Sequence, residues 1–395
     1  MIDKKLIQWG ESGSIIREIN EYAIKLAFKV GKENVFNFTI GNPSVDPPLC
    51  VQKCINRLNQ EFSQNELHAY APAPGLLSVR KKIADYLTRS FGVNYNFDGI
   101  YITSGASSAL AILCRALLSS GDQAVVFAPF FPEYKAYIEA VGAKLIVVQP
   151  KDASFNLDLD KFDMSITEKT SVVILNSPNN PSGYIVSEQV ICDLAQILER
   201  KQKEYCHPIY IIADEPYREL SYGKNVPFIP KFYKNTIYCY SFSKSMSLPG
   251  DRLGFFAILP TMDSHNEIWA AACGAARIMG YICVSPLMQM VISECIGATS
   301  DFSVYKENRE LLCDALQNMG FRFPNSDGTF YLFLDTFNSD SRTFCANAMR
   351  YNILLVPGIE FGLENYARLS YCVSKQVIEK SLPSFRKLAQ LYHLN

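Results

Sequence analysis

An open α/β architecture is what this sequence predicts: a largely parallel sheet covered by helices on both faces, joined to a smaller α+β unit. Three observations carry that expectation. Short apolar runs rich in Val, Ile and Tyr recur between helical patterns, at 100–103, 124–128, 144–148, 171–176, 209–213 and 236–241. Strands that alternate with helices pair in parallel, because each return to the sheet must cross over it. Every run except 144–148 is followed by Ser, Gly, Pro, Asn or Asp, so turn-forming loops collect at the strand carboxyl ends, where open α/β sheets bind ligands. The texture then changes near Asp301. A polar-faced helical stretch at 305–319 precedes short strands at 330–334 and 368–372, and an amphipathic run at 15–30 joins the same unit. The expected division is therefore 45–300 for the larger domain and 1–44 with 301–395 for the smaller.

The composition supports two folded domains. With 395 residues, 48% hydrophobic and 12% aromatic, the chain has enough apolar surface for a large core. A net charge of −1 gives no electrostatic case for nucleic acid or an anionic membrane as partner, which leaves small molecules. Twelve cysteines occur without a Cys-x-x-Cys pair, and His68, His207, His265 and His393 are scattered, so no metal site is expected. Reduced thiols, no apolar signal core at the N-terminus and no run near the ~18 apolar residues of a membrane span point to a soluble, cytoplasmic chain.

The loops after the strands carry chemistry. Ser241-Phe-Ser-Lys244-Ser-Met-Ser-Leu-Pro-Gly-Asp-Arg252-Leu-Gly254 offers a lysine able to hold an aldehyde cofactor as an imine and an arginine whose planar fork grips phosphoryl oxygens. That is the pattern of a pyridoxal phosphate site. Ala213-Asp214-Glu215-Pro216-Tyr217 follows a strongly apolar strand. A carboxylate there keeps a pyridine nitrogen protonated, and Tyr217 is placed to donate to the ring's phenolic oxygen; a helix N-cap is the plainer role for the same aspartate. Asn180, in Asn176-Ser-Pro-Asn-Asn180-Pro-Ser-Gly183, is either a second donor to that oxygen or a simple turn residue. Ser104-Gly105-Ala106-Ser107-Ser108 opens an apolar helical run at 109–118, and free N–H groups at a helix start bind phosphate. Phe131, in Pro129-Phe130-Phe131-Pro132, offers a face for the pyridine ring or fills core. Arg368 lies in an apolar strand, where a buried guanidinium calls for an anion, either a substrate carboxylate or a protein one.

Taken in order, these segments resemble the class I/II aminotransferases of fold type I, the aspartate aminotransferase superfamily, over nearly the whole chain. The resemblance implies a mostly parallel seven-stranded sheet in the large domain and a small domain that closes over substrate. It implies pyridoxal 5'-phosphate as cofactor, with Gly105, Ala106 and Ser107 as phosphate loop and Phe131 as stacking ring. Asn180, Asp214, Tyr217, Ser241, Lys244 and Arg252 match the ring, phosphate and imine contacts, with Lys244, Asp214 and Tyr217 the catalytic set. Gly41-Asn-Pro43 and Arg368 match the carboxylate site, where Asn180 also contributes, and Val356-Pro-Gly-Ile-Glu-Phe-Gly362 a small-domain closing element. Tyr70-x4-Gly75-x4-Arg80 resembles the family's tyrosine motif, whose tyrosine reaches the neighbouring subunit's phosphate, which implies a homodimer. Asp251 departs from the more usual apolar residue before the arginine. Ser107-Ser108 stand where some aspartate-using relatives place a lysine.

The implied reaction is transamination between an L-amino acid and a 2-oxo acid, with aspartate or glutamate favoured if Arg277 meets a side-chain carboxylate across the dimer. Arg277 is equally explained as an interface or surface ion pair. A carbon–sulfur β-lyase or related elimination enzyme is the alternative on the same scaffold, and a noncatalytic regulator would carry an added DNA-binding segment. The stretch 12–16 is a candidate part of a lid.

Overall fold

Each apolar run becomes a strand whose ends fall within one residue of expectation. The computed structural model describes residues 2, 4–12 and 15–394; within the candidate lid stretch, residues 13 and 14 and the side chains of Ser12 and Ile16 lie outside what is described. The strands are β1 (Phe36–Asn37), β2 (Ile100–Thr103), β3 (Gln123–Phe127), β4 (Lys144–Val148), β5 (Thr170–Asn176), β6 (Tyr210–Asp214), β7 (Thr236–Ser241), β8 (Gly254–Ala257), β9 (Tyr331–Asp335), β10 (Ile353–Leu354), β11 (Val356–Pro357) and β12 (Tyr366–Ser370).

The described residues divide into two compact units: Val45–Asn180 with Tyr184–Phe302, and Met1–Ser44 with Pro181–Gly183 and Ser303–Asn395. The larger holds a seven-stranded α/β sheet in the order β2-β8-β7-β6-β5-β3-β4. Pairing is parallel from β7 to β4, whereas β8 runs antiparallel to both β2 and β7. Local pattern does not single out β8, because Gly254-Phe-Phe-Ala is four residues long and is reached from β7 by a loop without a crossover helix. The β5 and β6 strands are buried almost throughout, as expected of parallel strands covered on both faces. Helix Glu188–Tyr205 covers part of one face with Ile191, Leu194, Ala195 and Leu198, spaced at helical period against Val125, Val173 and Ile211. Burial of each such large side chain contributes about 1.5–3 kcal/mol. Ser187 starts that helix by accepting from the Val190 N–H.

Pro181–Gly183 lies within the span expected for the larger domain but belongs to the smaller unit, while Asp301 and Phe302 stay with the larger. The cause for the first is local: the Gly328 N–H donates to the Gly183 carbonyl at 2.9 Å, and a Cβ on Gly183 would meet Ser326 Oγ at 1.9 Å. For the second, the Ser300 N–H donates to the Ser245 carbonyl at 2.8 Å and holds that end of the chain in the larger unit.

In the smaller unit β9, β11 and β12 form an antiparallel sheet in the order β11-β12-β9, and β1 pairs in parallel with β10. The strand expected at 368–372 begins two residues earlier, since Tyr366 stacks on Phe333 of β9 at 5.0 Å and 15°. Arg368 consequently sits in mid-strand, opposite Phe333 and Val356. Among the described residues no helix is long and apolar enough to cross a membrane.

Candidate active site

The carboxyl ends of the larger sheet bring the loop residues together. Helix Gly105–Leu117 begins four residues earlier than the apolar run alone marks it, so the Ser104-Gly105-Ala106-Ser107 turn is itself the helix start, with its first N–H groups lacking intrahelical partners. Arg252 is held against that turn: Nη2 donates to the Ser104 carbonyl at 3.2 Å and Nη1 to the Pro249 carbonyl at 3.0 Å. Gly105 makes this approach possible, because its φ is +76° and a Cβ would lie 2.9 Å from Arg252 Nη2. Gly254 does the same from below, where a Cβ would meet the Tyr240 carbonyl at 2.5 Å and the Gly105 Cα at 2.9 Å. The Tyr137 hydroxyl is pushed up chiefly by burial, with Ser107 acting in the opposite direction. A helix start and a guanidinium fork converging on one turn have the chemistry to receive a phosphate.

Asp214 ends β6 and is 4% exposed. It caps no helix. Tyr134, in helix Glu133–Ala140, donates its hydroxyl proton to Asp214 Oδ2 at 2.5 Å, and Oδ1 has no hydrogen-bond partner. Burial pushes the carboxyl up to about 6, against the lowering effect of the Tyr134 hydrogen bond. An enclosed carboxylate with one oxygen bonded and one open fits a pyridinium N–H, the donor that pyridoxal phosphate brings. Tyr134 is a residue that sequence reasoning missed, because a tyrosine one helical turn after Phe131 reads as core until its hydroxyl is placed beside Asp214. The two rings meet edge to face at 5.6 Å and 83°.

Asn176 ties the neighbouring loop in place: its side-chain N–H donates to the Asp214 carbonyl at 2.7 Å and its Oδ1 accepts from the Asn180 N–H at 2.7 Å. Asn180 is thereby buried, at 6% exposure, beside the end of β6. Lys244 closes the short helix Phe242–Ser245, capped by Ser241 Oγ accepting from the Ser243 N–H at 3.2 Å. Its Nζ lies 5.9 Å from the centre of the Tyr217 ring, and Tyr217 is buried. Glu215, the carboxylate beside Asp214, faces elsewhere: it pairs with Arg218 at 2.5 Å, and burial pushes it up to about 7.

The smaller unit buries a guanidinium. Arg368 is 2% exposed and donates from Nη2 to the Thr39 carbonyl at 2.5 Å, with its guanidinium 4.5 Å from the Tyr331 ring centre and 5.0 Å from that of Phe361. Gly41 joins them, since a Cβ there would fall 1.9 Å from the Tyr331 hydroxyl. Tyr331 is thus a further site residue that the motif did not name. Gly358 of the expected closing element is tightly enclosed, where a Cβ would meet the Tyr366 carbonyl at 2.3 Å. Tyr70 is 89% exposed, and Arg277 and Asp251 are exposed as well. Arg80 is structural, donating to the carbonyls of Ile100 at 2.8 Å and Phe97 at 2.7 Å.

Fold and site together define a pyridoxal phosphate transferase of fold type I. The sequence profile of the family "Aminotransferase class I and II" matches residues 33–384, and the chain belongs to that family. A crystal structure of an amino transferase from Eubacterium rectale is 43% identical and superposes with a TM-score of 0.96, over 99% of each chain. A probable aspartate aminotransferase of Methanocaldococcus jannaschii is 27% identical over 94% of this chain and 98% of its own. A probable N-acetyl-LL-diaminopimelate aminotransferase of Bacillus subtilis is 28% identical over 89% of this chain and 88% of its own. The protein is therefore an aminotransferase of the EC 2.6.1 type that uses pyridoxal phosphate and moves an amino group between an amino acid and a 2-oxo acid. The carbon–sulfur elimination alternative is not favoured by these relatives.

Proposed function

We propose that the amino donor is aspartate or glutamate, that Lys244 is the cofactor-binding and proton-moving residue, and that the site is completed in a homodimer. The open Oδ1 of enclosed Asp214 is the observation that most supports the assignment of roles. Bound pyridoxal phosphate supplies an electron sink for the substrate's Cα. Asp214 would hold the ring nitrogen protonated, Asn180 and Tyr217 would donate to the phenolic oxygen, and Phe131 would offer its face to the ring. Ser241, Arg252 and the N–H groups of Ala106 and Ser107 hold the phosphate, with Gly105 giving them room. Lys244 Nζ would be the group that moves the proton of the substrate's Cα. Arg368 and Gly41 are the residues assigned to the α-carboxylate, and Asn180 is a further candidate for it.

The substrate preference is supported by relatives named aspartate aminotransferase in Methanocaldococcus jannaschii, Pyrococcus horikoshii and Thermotoga maritima. Tyr70 at 89% exposure supports cover by a second copy, to whose phosphate it would reach. Twelve free cysteines support a reducing, cytoplasmic setting. Titration of the holoenzyme with aspartate, glutamate, alanine and phenylalanine tests the preference: the cofactor's long-wavelength absorbance should fall at the lowest concentrations of the two dicarboxylates. Equal response to alanine would remove it.

A further inference from the structure

A further carboxylate follows the Asp214 loop into the interior of the larger unit. Glu219, two residues after Tyr217, accepts from the Tyr240 hydroxyl on Oε1 at 2.7 Å, while Oε2 is shut off from solvent and has no hydrogen-bond partner. Among the described residues no lysine, arginine or histidine pairs with it. The adjacent base, Arg218, is already engaged: its guanidinium pairs with Glu215 at 2.5 Å, donates to the Pro227 carbonyl at 3.2 Å and lies 4.5 Å from the centre of the Phe91 ring. Two carboxylates buried with one guanidinium leave a negative charge uncompensated, and burial pushes the Glu219 carboxyl upward. Either a proton or a cation must balance that charge. A proton on Oε2 would itself be a buried donor without an acceptor, which leaves the cation as the better match.

Glu219 lines a small cavity of about 10 Å³, room for one guest the size of a water molecule. Its walls include Tyr86, Tyr240 and Phe242 and, at Ile296 and Gly297, the carboxyl end of helix Pro286–Cys295. That helix has no basic residue in its last turn, so the negative end of its dipole meets the cavity without a protein cation to answer it. We propose that the cavity is a site for one monovalent cation of about the size of water, potassium or ammonium, held by Glu219 Oε2, the helix end and the surrounding aromatic residues. A divalent ion does not fit, because one carboxylate among aromatic walls cannot replace the oxygen shell that magnesium or calcium requires. Among the described residues no group of three or more Cys, His, Asp or Glu is arranged to hold a metal ion either. Tyr240 lies in β7 and Phe242 opens the short helix that ends with Lys244 and Ser245, so the ion braces the turn on which Lys244 stands.

The test is thermal unfolding of the holoenzyme in the chlorides of potassium, ammonium, sodium and tetramethylammonium at one ionic strength, beside anomalous scattering from crystals soaked in thallium(I), a heavy stand-in for potassium. Neither readout depends on which amino acid is the substrate. The expected result is a saturable rise in Tm of about 5 °C in potassium or ammonium over tetramethylammonium, and a thallium peak beside Glu219. The salt that saturates at the lower concentration names the ion. Glu219→Gln keeps the shape and an acceptor for Tyr240 but removes the charge, and its Tm should be the same in all four salts. A wild-type Tm equal in all four salts, a cavity without thallium, or a Glu219→Gln variant that keeps the full potassium effect would overturn the proposal.

Discussion

The Tyr134 hydroxyl donates to Asp214 Oδ2 at 2.5 Å and so leaves Oδ1 as the open oxygen of this buried carboxylate. Because the bond stabilises the ionised carboxylate against its burial, Tyr134→Phe should move Asp214 above the value of about 6 at which it stands. The expected outcome is a pH profile of cofactor loading whose acidic limb shifts upward, with a loss of about tenfold in kcat/KM at neutral pH. An unchanged acidic limb would show that Tyr134 only fills space.

The same burial makes the stability of the cofactor-free protein pH-dependent. Asp214 is pushed up to about 6 and Glu215 to about 7, so between roughly pH 4 and 7 the folded chain holds more protons than the unfolded one. Stability is therefore greatest at the acidic end of that window and falls as pH rises through it, and the Asp214 part amounts to about 3 kcal/mol. Denaturant unfolding at a series of pH values checks this. Asp214→Asn should flatten the lower part of the slope, and loading with pyridoxal phosphate should flatten it too, since a pyridinium partner keeps the carboxylate ionised.

Gly105→Ala tests the phosphate cradle. A methyl group there sits 2.9 Å from Arg252 Nη2 on a backbone with φ of +76°, so either the guanidinium or the turn must move. A strained left-handed position costs about 1–3 kcal/mol, and cofactor Kd should rise roughly 10- to 100-fold by equilibrium titration. A Kd equal to wild type would mean that this turn does not carry the phosphate.

Arg368→Lys tests the proposed carboxylate role of this buried guanidinium. Lysine keeps the charge but cannot reproduce the planar fork that lies over Tyr331 and Phe361. KM for the amino acid should rise by about tenfold or more while cofactor Kd stays constant, measured by steady-state kinetics beside cofactor titration. A change in cofactor Kd with KM untouched would reassign the residue.

Exposed Arg277 is the residue on which dicarboxylate selectivity can be tested apart from the fold. Arg277→Ala should lower kcat/KM for aspartate by about tenfold and leave alanine unaffected if it meets a side-chain carboxylate. Equal effects on both substrates would return it to the role of an interface or surface ion pair.

How far the chain was legible follows from what local patterns encode. Parallel strands such as β5 and β6 announce themselves because burial on both faces demands uninterrupted Val and Ile, and the residues after them must turn. The strand β8 did not, since its four residues gain their meaning only from antiparallel neighbours β2 and β7. Lys244, Asp214 and Arg252 were readable as chemically costly residues in loops after strands. Tyr134 and Tyr331 were not, because a tyrosine in an apolar stretch reads as core until the structure places its hydroxyl beside Asp214 or its ring under Arg368. Glu215 shows the converse, a charged neighbour of Asp214 that binds Arg218 inside the fold.

Lys244 is proposed as the residue that binds the cofactor and moves the substrate proton. Borohydride reduction of the holoenzyme followed by peptide mapping tests it most directly, with Lys244→Ala treated alongside. A single pyridoxyl label is expected on the peptide carrying Lys244, with no label in the variant and no turnover in a variant that still binds the cofactor noncovalently. A label on another lysine, or near-native turnover by Lys244→Ala, would contradict it.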